Sequence, residues 1–397
     1  MNINLAIAIR LSLLVSLALV LSAASSRLHA DVQDTGTCGG VTVTLPFTDV
    51  MGSQFFCQIA EAYFSGLANG TSGTTYSPGN NVTRDQMAAF ITRTLDQSLK
   101  RGSSRGALDQ WATPTSVPFT AKTTVGDHPV AVKSDGEDLW VANFGSATVS
   151  RVHASDGKLL QTWTGASNAR AVLVARGRVF VVGRSNPGTI YVIDPAQPAG
   201  AVTLLTNTLP QNPLSIAFDG FNLWVASSLT GIVSKVNPNT GAVTSFSGFT
   251  NPLGVIYDGS NIWITELGAD TLKKLDSNGN VLQTVNVGFN PQHPIYDGTN
   301  IWVPKTSDDT VTVVRASTGA VLATLSNNGL SFPEHAAFDG ERILITNASS
   351  TVSLWKASDL TPLGSFSGAT FVTGACSDGL SFWLTLDDGP PGHLVRF

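Results

Sequence analysis

The chain has 397 residues, of which 42% are hydrophobic and 13% charged, against roughly 25% charged in an average soluble protein. Its 23 Lys and Arg against 28 Asp and Glu give a net charge of −5, which argues against a nucleic-acid binder with its basic surplus. Three cysteines exclude a disulfide-dense scaffold and any multi-cysteine zinc or iron–sulfur array.

Residues 1–30 read as an export signal. Arg10 precedes an apolar run from Leu11 to Leu21, and small residues follow at Ser22 to Ser26 and at Ala30. The run has the length of a signal-peptide core and is too short to cross a bilayer comfortably. Cleavage after Ala24, Ser26 or Ala30 stays open, and an uncleaved N-terminal anchor is the alternative. No later segment approaches about 18 consecutive apolar residues, so no transmembrane span is expected after signal removal. In an oxidising compartment Cys38 and Cys57 are expected to bridge, with two free thiols as the alternative. Cys376, in an apolar strand context, is expected to be a buried, inert thiol.

A small helical module is expected over 31–98. Phe55, Ile59 and Tyr63 recur every four residues, as do Phe56, Ala60 and Phe64, giving one helix a broad apolar face. After a polar loop from Gly66 to Asn81, Thr83-Arg84-Asp85-Gln86 has the capping-box pattern of a helix start. Met87, Phe90, Ile91 and Leu95 supply an apolar stripe, and the two helices are expected to form a hairpin.

These residues carry a resemblance. Phe47-Thr48-Asp49-Val50, the helix through Ile59, Gly66-Leu67-Ala68-Asn69-Gly70, Tyr76-Ser77-Pro78 and Val82 to Phe90 resemble one S-layer homology (SLH) repeat. The resemblance implies a bacterial cell-envelope protein that binds a cell-wall polymer or peptidoglycan-linked glycan. It places anionic-carbohydrate binding on the Thr83-Arg84 step; a guanidinium beside a helix N-terminus suits an anion. The other reading of Arg84 is a solvated first-turn residue. Where some relatives hold two loop cysteines, this chain has Thr71 and Ser77.

Residues 99–118 lack periodicity and read as a linker. From there on the chain repeats itself. A doublet ending in glycine, usually Asp-Gly, stands four residues before an aromatic: Gly136 with Trp140, Gly220 with Trp224, Gly259 with Trp263, Gly298 with Trp302 and Gly379 with Trp383. Leu344 takes that place after Gly340, and a shorter copy pairs Gly177 with Phe180. Six steps from Gly136 to Gly379 average about 40 residues, and each copy holds about four short strands, the arithmetic of a propeller blade. The predicted fold is mainly β, a seven-bladed β-propeller over 119–397. Its last blade lacks a strand, and Phe119 to Gly126 is expected to supply it and close the ring.

Asp258-Gly259-Ser260-Asn261-Ile262-Trp263-Ile264-Thr265-Glu266 resembles the blade motif of virginiamycin B lyase-like propellers and, more loosely, NHL and YVTN-type repeats. In the lyase group a Glu recurs at the place of Glu266, and His and Glu residues line a metal-dependent central site. Here the matching positions elsewhere are Asn143, Ser227, Lys305 and Asn347. Prolines before the first strands bring His128, His293, Glu334 and His335 to equivalent points. With Glu266 these are candidate ligands of a divalent metal, and His293, His335 and Glu334 are candidate catalytic groups; the alternative is isolated loop residues. Two functions follow. One is a non-catalytic envelope propeller that displays a face for a protein or small-molecule ligand, tethered by the SLH-like repeat and needing no cofactor. The other is a metal-dependent lyase or hydrolase acting in the channel.

Overall fold

The structure is a computed structural model that describes residues 33–38, 41–64, 67–102, 122–368 and 371–397. The export signal, Trp111 and most of the linker lie outside the described residues. The chain divides after Ser98 into two compact units.

The first unit opens with a hairpin that periodicity did not show. Strands β1 (Thr35–Cys38) and β2 (Val41–Thr44) pair antiparallel, Thr35 opposite Thr44. Helix α1 (Phe56–Phe64) packs Phe56, Ile59 and Ala60 against Leu45, Phe47 and Val50. Phe55, expected on that face, precedes the helix and is 57% exposed. The Cys38 and Cys57 sulfurs are bonded at 2.07 Å, tying β1 to α1. The Asp49 carboxylate accepts from the Tyr76 and Ser77 amides at 2.8 and 2.7 Å and so pins the polar loop. Thr71 Oγ1 and Ser77 Oγ share a hydrogen bond of 2.7 Å within it.

Helix α2 (Arg84–Gly102) starts at the expected capping box: the Thr83 amide donates to Gln86 Oε1 at 3.0 Å and the Gln86 amide to Thr83 Oγ1 at 3.2 Å. It runs four residues into the segment read as linker. Its stripe corrects the expected hairpin of helices. Met87, Phe90 and Ile91 are 47%, 39% and 59% exposed, because the β1–β2 hairpin, Tyr63 and Tyr76 already close the small core.

The second unit is seven four-stranded antiparallel sheets, a seven-bladed β-propeller. The first strands are Pro129–Ser134, Ala169–Ala175, Pro213–Phe218, Pro252–Tyr257, Ile295–Tyr296, Pro333–Phe338 and Val372–Ser377. Each touches the next, and the last touches the first, so they enclose a channel.

The repeated doublet has a direct physical cause. In five blades the Asp carboxylate takes two turn amides on one oxygen and the indole N–H of the Trp on the other. Asp135–Trp140, Asp219–Trp224, Asp258–Trp263, Asp297–Trp302 and Asp378–Trp383 are bonded at 2.7–2.8 Å. A buried indole N–H needs such a partner. The glycine after the Asp turns through a left-handed φ, +100° at Gly136 and +91° at Gly259. The two exceptions obey the same logic. The shorter copy has no Asp, and its Phe180 has no N–H to satisfy. Where Leu344 replaces Trp, Arg342 Nε donates to the freed Asp339 oxygen at 2.8 Å.

Apolar faces meet between blades in seven cores, each drawing on two neighbouring sheets. Trp140, Trp224, Trp263, Trp302 and Trp383 are each at most 1% exposed within them. The ring closes as the sequence suggested. Lys122–Thr124 pairs antiparallel with His393–Arg396, Thr123 opposite Leu394. Val125 joins Trp383 and Leu394 in the core against the first blade, and Lys122 Nζ meets Asp388 at 3.0 Å. Cys376 is buried and free, and burial pushes its thiol up to about 12.

One further regularity positions the channel mouth. Just before each first strand's entry into the sheet, one residue takes a left-handed φ between +49° and +61°: His128, Asn168, Asn212, Asn251, Asn290, Phe332 and Phe371. Its carbonyl accepts from the amide of the first residue past the second strand of the same blade, at 2.8–3.3 Å. A β-bulge follows in six blades, at the register shifts after Pro129, Ala169, Pro213, Pro252, Pro333 and Val372. Bulges re-aim side chains, here at the mouth.

Candidate binding site in the channel

The channel holds a cavity of about 110 Å³, lined by the first strands of all seven blades. Most of the lining is small or aliphatic. Its polar side chains of note are Lys133, Arg170, His293 and His335.

Register explains why these four meet. Pro291 bridges Lys305 as Pro252 pairs with Glu266, so Pro291, not Pro294, is the counterpart of the other strand-opening prolines. His293 then occupies the same position as His335. The other blades place Ala131, Ala171, Ser215, Gly254 and Gly374 there. Two imidazoles therefore stand in a layer otherwise made of small residues. A side chain at 374 would be crowded, since a Cβ there would come to 3.0 Å from the Val130 carbonyl. Lys133 stands opposite Trp140, where the other blades carry apolar residues. Arg170 is aimed by the bulge of the second blade, and Glu334 holds the matching position in the sixth.

The His293 and His335 rings stack at 4.4 Å between centroids and 8° between planes. The His293 amide donates to the Glu334 carbonyl at 3.1 Å, and the His335 amide to Thr346 Oγ1 at 3.1 Å. Burial, with Arg170 and Lys133 nearby, pulls His293 down to about 3. Burial also pulls His335 well below the usual imidazole range, helped by His293, Arg170 and Lys133. Both rings are neutral at pH 7. Burial lowers Arg170 and raises Glu334, while the charges of the two favour each other.

The other metal candidates lie elsewhere. His128 sits one residue before its strand, with Nδ1 on the Asp387 carboxylate. Its register is three residues from that of His293 and His335, which the prolines alone had obscured. Glu266 is fully buried among the second and third strands. Its carboxylate takes the Thr250 amide at 2.8 Å, Thr271 Oγ1 at 2.7 Å and Lys273 Nζ at 3.0 Å. Asn143 and Asn347 tie the same two strands together in their own blades, so this position fastens strands. Nor do the stacked rings suit one cation. Imidazole lone pairs lie in the ring plane, and two parallel planes do not aim them at one point. Among the described residues no group of three or more His, Cys, Asp or Glu converges as a metal site.

Arg170 and Lys133 escaped the reading of the sequence because neither belongs to a motif. A signal existed: two residues before the blade aspartate, the six Asp-bearing copies read Lys133, Ala217, Ile256, Ile295, Ala337 and Cys376. The one charge in that column lines the channel.

No curated protein matches the chain. Among solved structures, it is similar to the WD40 β-propeller domain of Doa1, at 14% identity and a TM-score of 0.60, covering 70% of this chain and 96% of that one. It is similar also to a streptogramin B lyase structure, at 14% identity and a TM-score of 0.59, covering 72% and 100%. At such identity the likeness shows the fold alone. Among the described residues no helix is long and apolar enough to cross a membrane. Residues 46–88 match the family model of the S-layer homology domain, so the chain carries an SLH domain followed by a seven-bladed β-propeller, the marks of a bacterial cell-surface or envelope protein.

Proposed function

We propose that this is an exported envelope protein whose SLH repeat holds an anionic wall glycan, leaving a non-catalytic propeller to display a ligand-binding face. The SLH match carries the anchoring half. Arg84 is exposed at the first turn of α2, where the helix dipole and its guanidinium both favour an anion. Thr83 holds that turn in shape through the capping box. The display half is supported by how the ring spends its acidic and imidazole groups: Glu266 and His128 are engaged in structural contacts, and His293 and His335 are stacked.

Co-sedimentation with purified cell-wall sacculi tests the anchor. Protein lacking residues 1–30 is expected to pellet with sacculi and to stay in solution when they have been stripped of anionic polymers. Arg84→Glu should release it. Equal pelleting of the variant would assign Arg84 to the solvated surface. The competing reading, a metal-dependent lyase or hydrolase, requires His293 and His335 to leave their stack and hold a divalent ion. Elemental analysis of protein purified without chelator decides between them: the display reading expects far less than one metal per chain.

A further inference from the structure

The propeller channel presents a second binding chemistry, independent of the wall anchor. Among the described residues, no hydrogen bond within the protein engages the side chains of Lys133, Arg170, His293 or His335, and Arg170 Nε is fully buried without a partner. A buried donor left unpaired is costly, more so when charged, and native proteins seldom leave one without a partner. Arg170 Nε is one such donor, and it shares a cavity of about 110 Å³ with the side chains of Lys133, His293 and His335, which are half-buried and, among the described residues, without a hydrogen-bond partner in the protein. Of these four groups, two are cations. The other two are neutral imidazoles, each with one ring N–H to donate. Glu334 is the carboxylate felt by Arg170, and Arg184 is a further cation near it. Arg184 Nε is itself committed to Asn212 Oδ1 at 2.5 Å.

We infer that the channel binds an oxyanion, a phosphate, sulfate or carboxylate group, clamped between Arg170 and Lys133 with His293 and His335 each donating a ring N–H. Arg presents a fork that fits such an anion through paired hydrogen bonds, and Lys adds a point charge. An organic anion would place its charged head among these four groups. Phe332 and Phe371, 57% and 68% exposed just before the first strands of the sixth and seventh blades, stand at the mouth where an organic body would emerge. In five of the seven copies that left-handed position carries Asn or His, and a bulky aromatic there is strained.

Titration calorimetry on the full chain, in chloride buffer at constant ionic strength, tests this with inorganic phosphate and phenyl phosphate. Both should bind. Arg170→Gln and Lys133→Gln should each weaken phosphate by about tenfold or more, the value of a charged hydrogen bond. Glu334→Gln, by removing the opposing charge, should tighten it. Lys158→Gln, outside the channel, should change nothing. Should a channel variant fold poorly, histidine NMR on the unaltered protein reads the same event: phosphate should move the His293 and His335 ring signals and leave His153 in place. Tighter binding of phenyl phosphate than of phosphate, lost in Phe332→Asn, identifies an organic anion as the ligand. Equal affinities identify a free inorganic one. No binding, or binding indifferent to both Arg170 and Lys133, overturns the inference.

Discussion

Replacing His293 and His335 with Gln should flatten the acid limb of the propeller's stability curve. An imidazole that stays neutral when folded but takes a proton when unfolded makes unfolding bind protons. Its contribution is complete above the unfolded pKa of about 6.5 and is lost as pH falls toward the folded value. For His293 that folded value is about 3. Between pH 7 and pH 5 the unfolded ring goes from about one-quarter to nearly fully protonated while the folded ring stays neutral, a loss of about 2 kcal/mol. His335 shifts in the same direction and adds to the loss. Urea unfolding followed by tryptophan fluorescence reports the propeller, since seven of the eight Trp residues lie within it. Measured at pH 7 and pH 5 in phosphate-free buffer, the double variant should lose at least about 2 kcal/mol less than the unaltered chain. Identical losses would refute the claim that these rings are held neutral in the channel.

Deleting residues 393–397 should unfold the ring as a whole. It removes Leu394 and Val395, both fully buried, about 3–6 kcal/mol by burial alone, together with the partner of Lys122–Thr124; calorimetry should show one lowered transition. Asp258→Ala should cost about 2–4 kcal/mol by denaturant titration, because it orphans the Trp263 indole and two turn amides. Phe332→Asn should raise the melting temperature by relieving about 1 kcal/mol of left-handed strain; a drop would show that the Phe side chain packs more than its exposure indicates.

The ring was legible in the sequence because one chemical requirement recurs in it. A buried Trp needs an acceptor, the acceptor sits on a turn that needs glycine, and the spacing repeats about every 40 residues. The closing strand was legible for a related reason, since the last copy ran out of residues before completing its sheet. The channel was only half visible. His293 and His335 stood out as rare residue types, but proline spacing misaligned His293 and drew in His128, whose strand register differs. Arg170 and Lys133 were hidden because a lone basic residue in a strand gives no local signal; only alignment of all the blades puts it in a column. In the SLH domain the motif told more than periodicity did. The apolar stripe of α2 has helical spacing whether or not a partner covers it, and the hairpin of β1 and β2 is too short for alternation to speak.

The channel, its mouth and the cluster inside it exist only if the two distant ends of the second unit are joined. Amide hydrogen exchange of residues 122–124 and 393–396 measures that join directly. Protection equal to that of the strands Ile262–Glu266 and Asn300–Lys305, lost only on global unfolding, is the result a closed ring requires. Free exchange at 122–124 while those inner strands stay protected would contradict it.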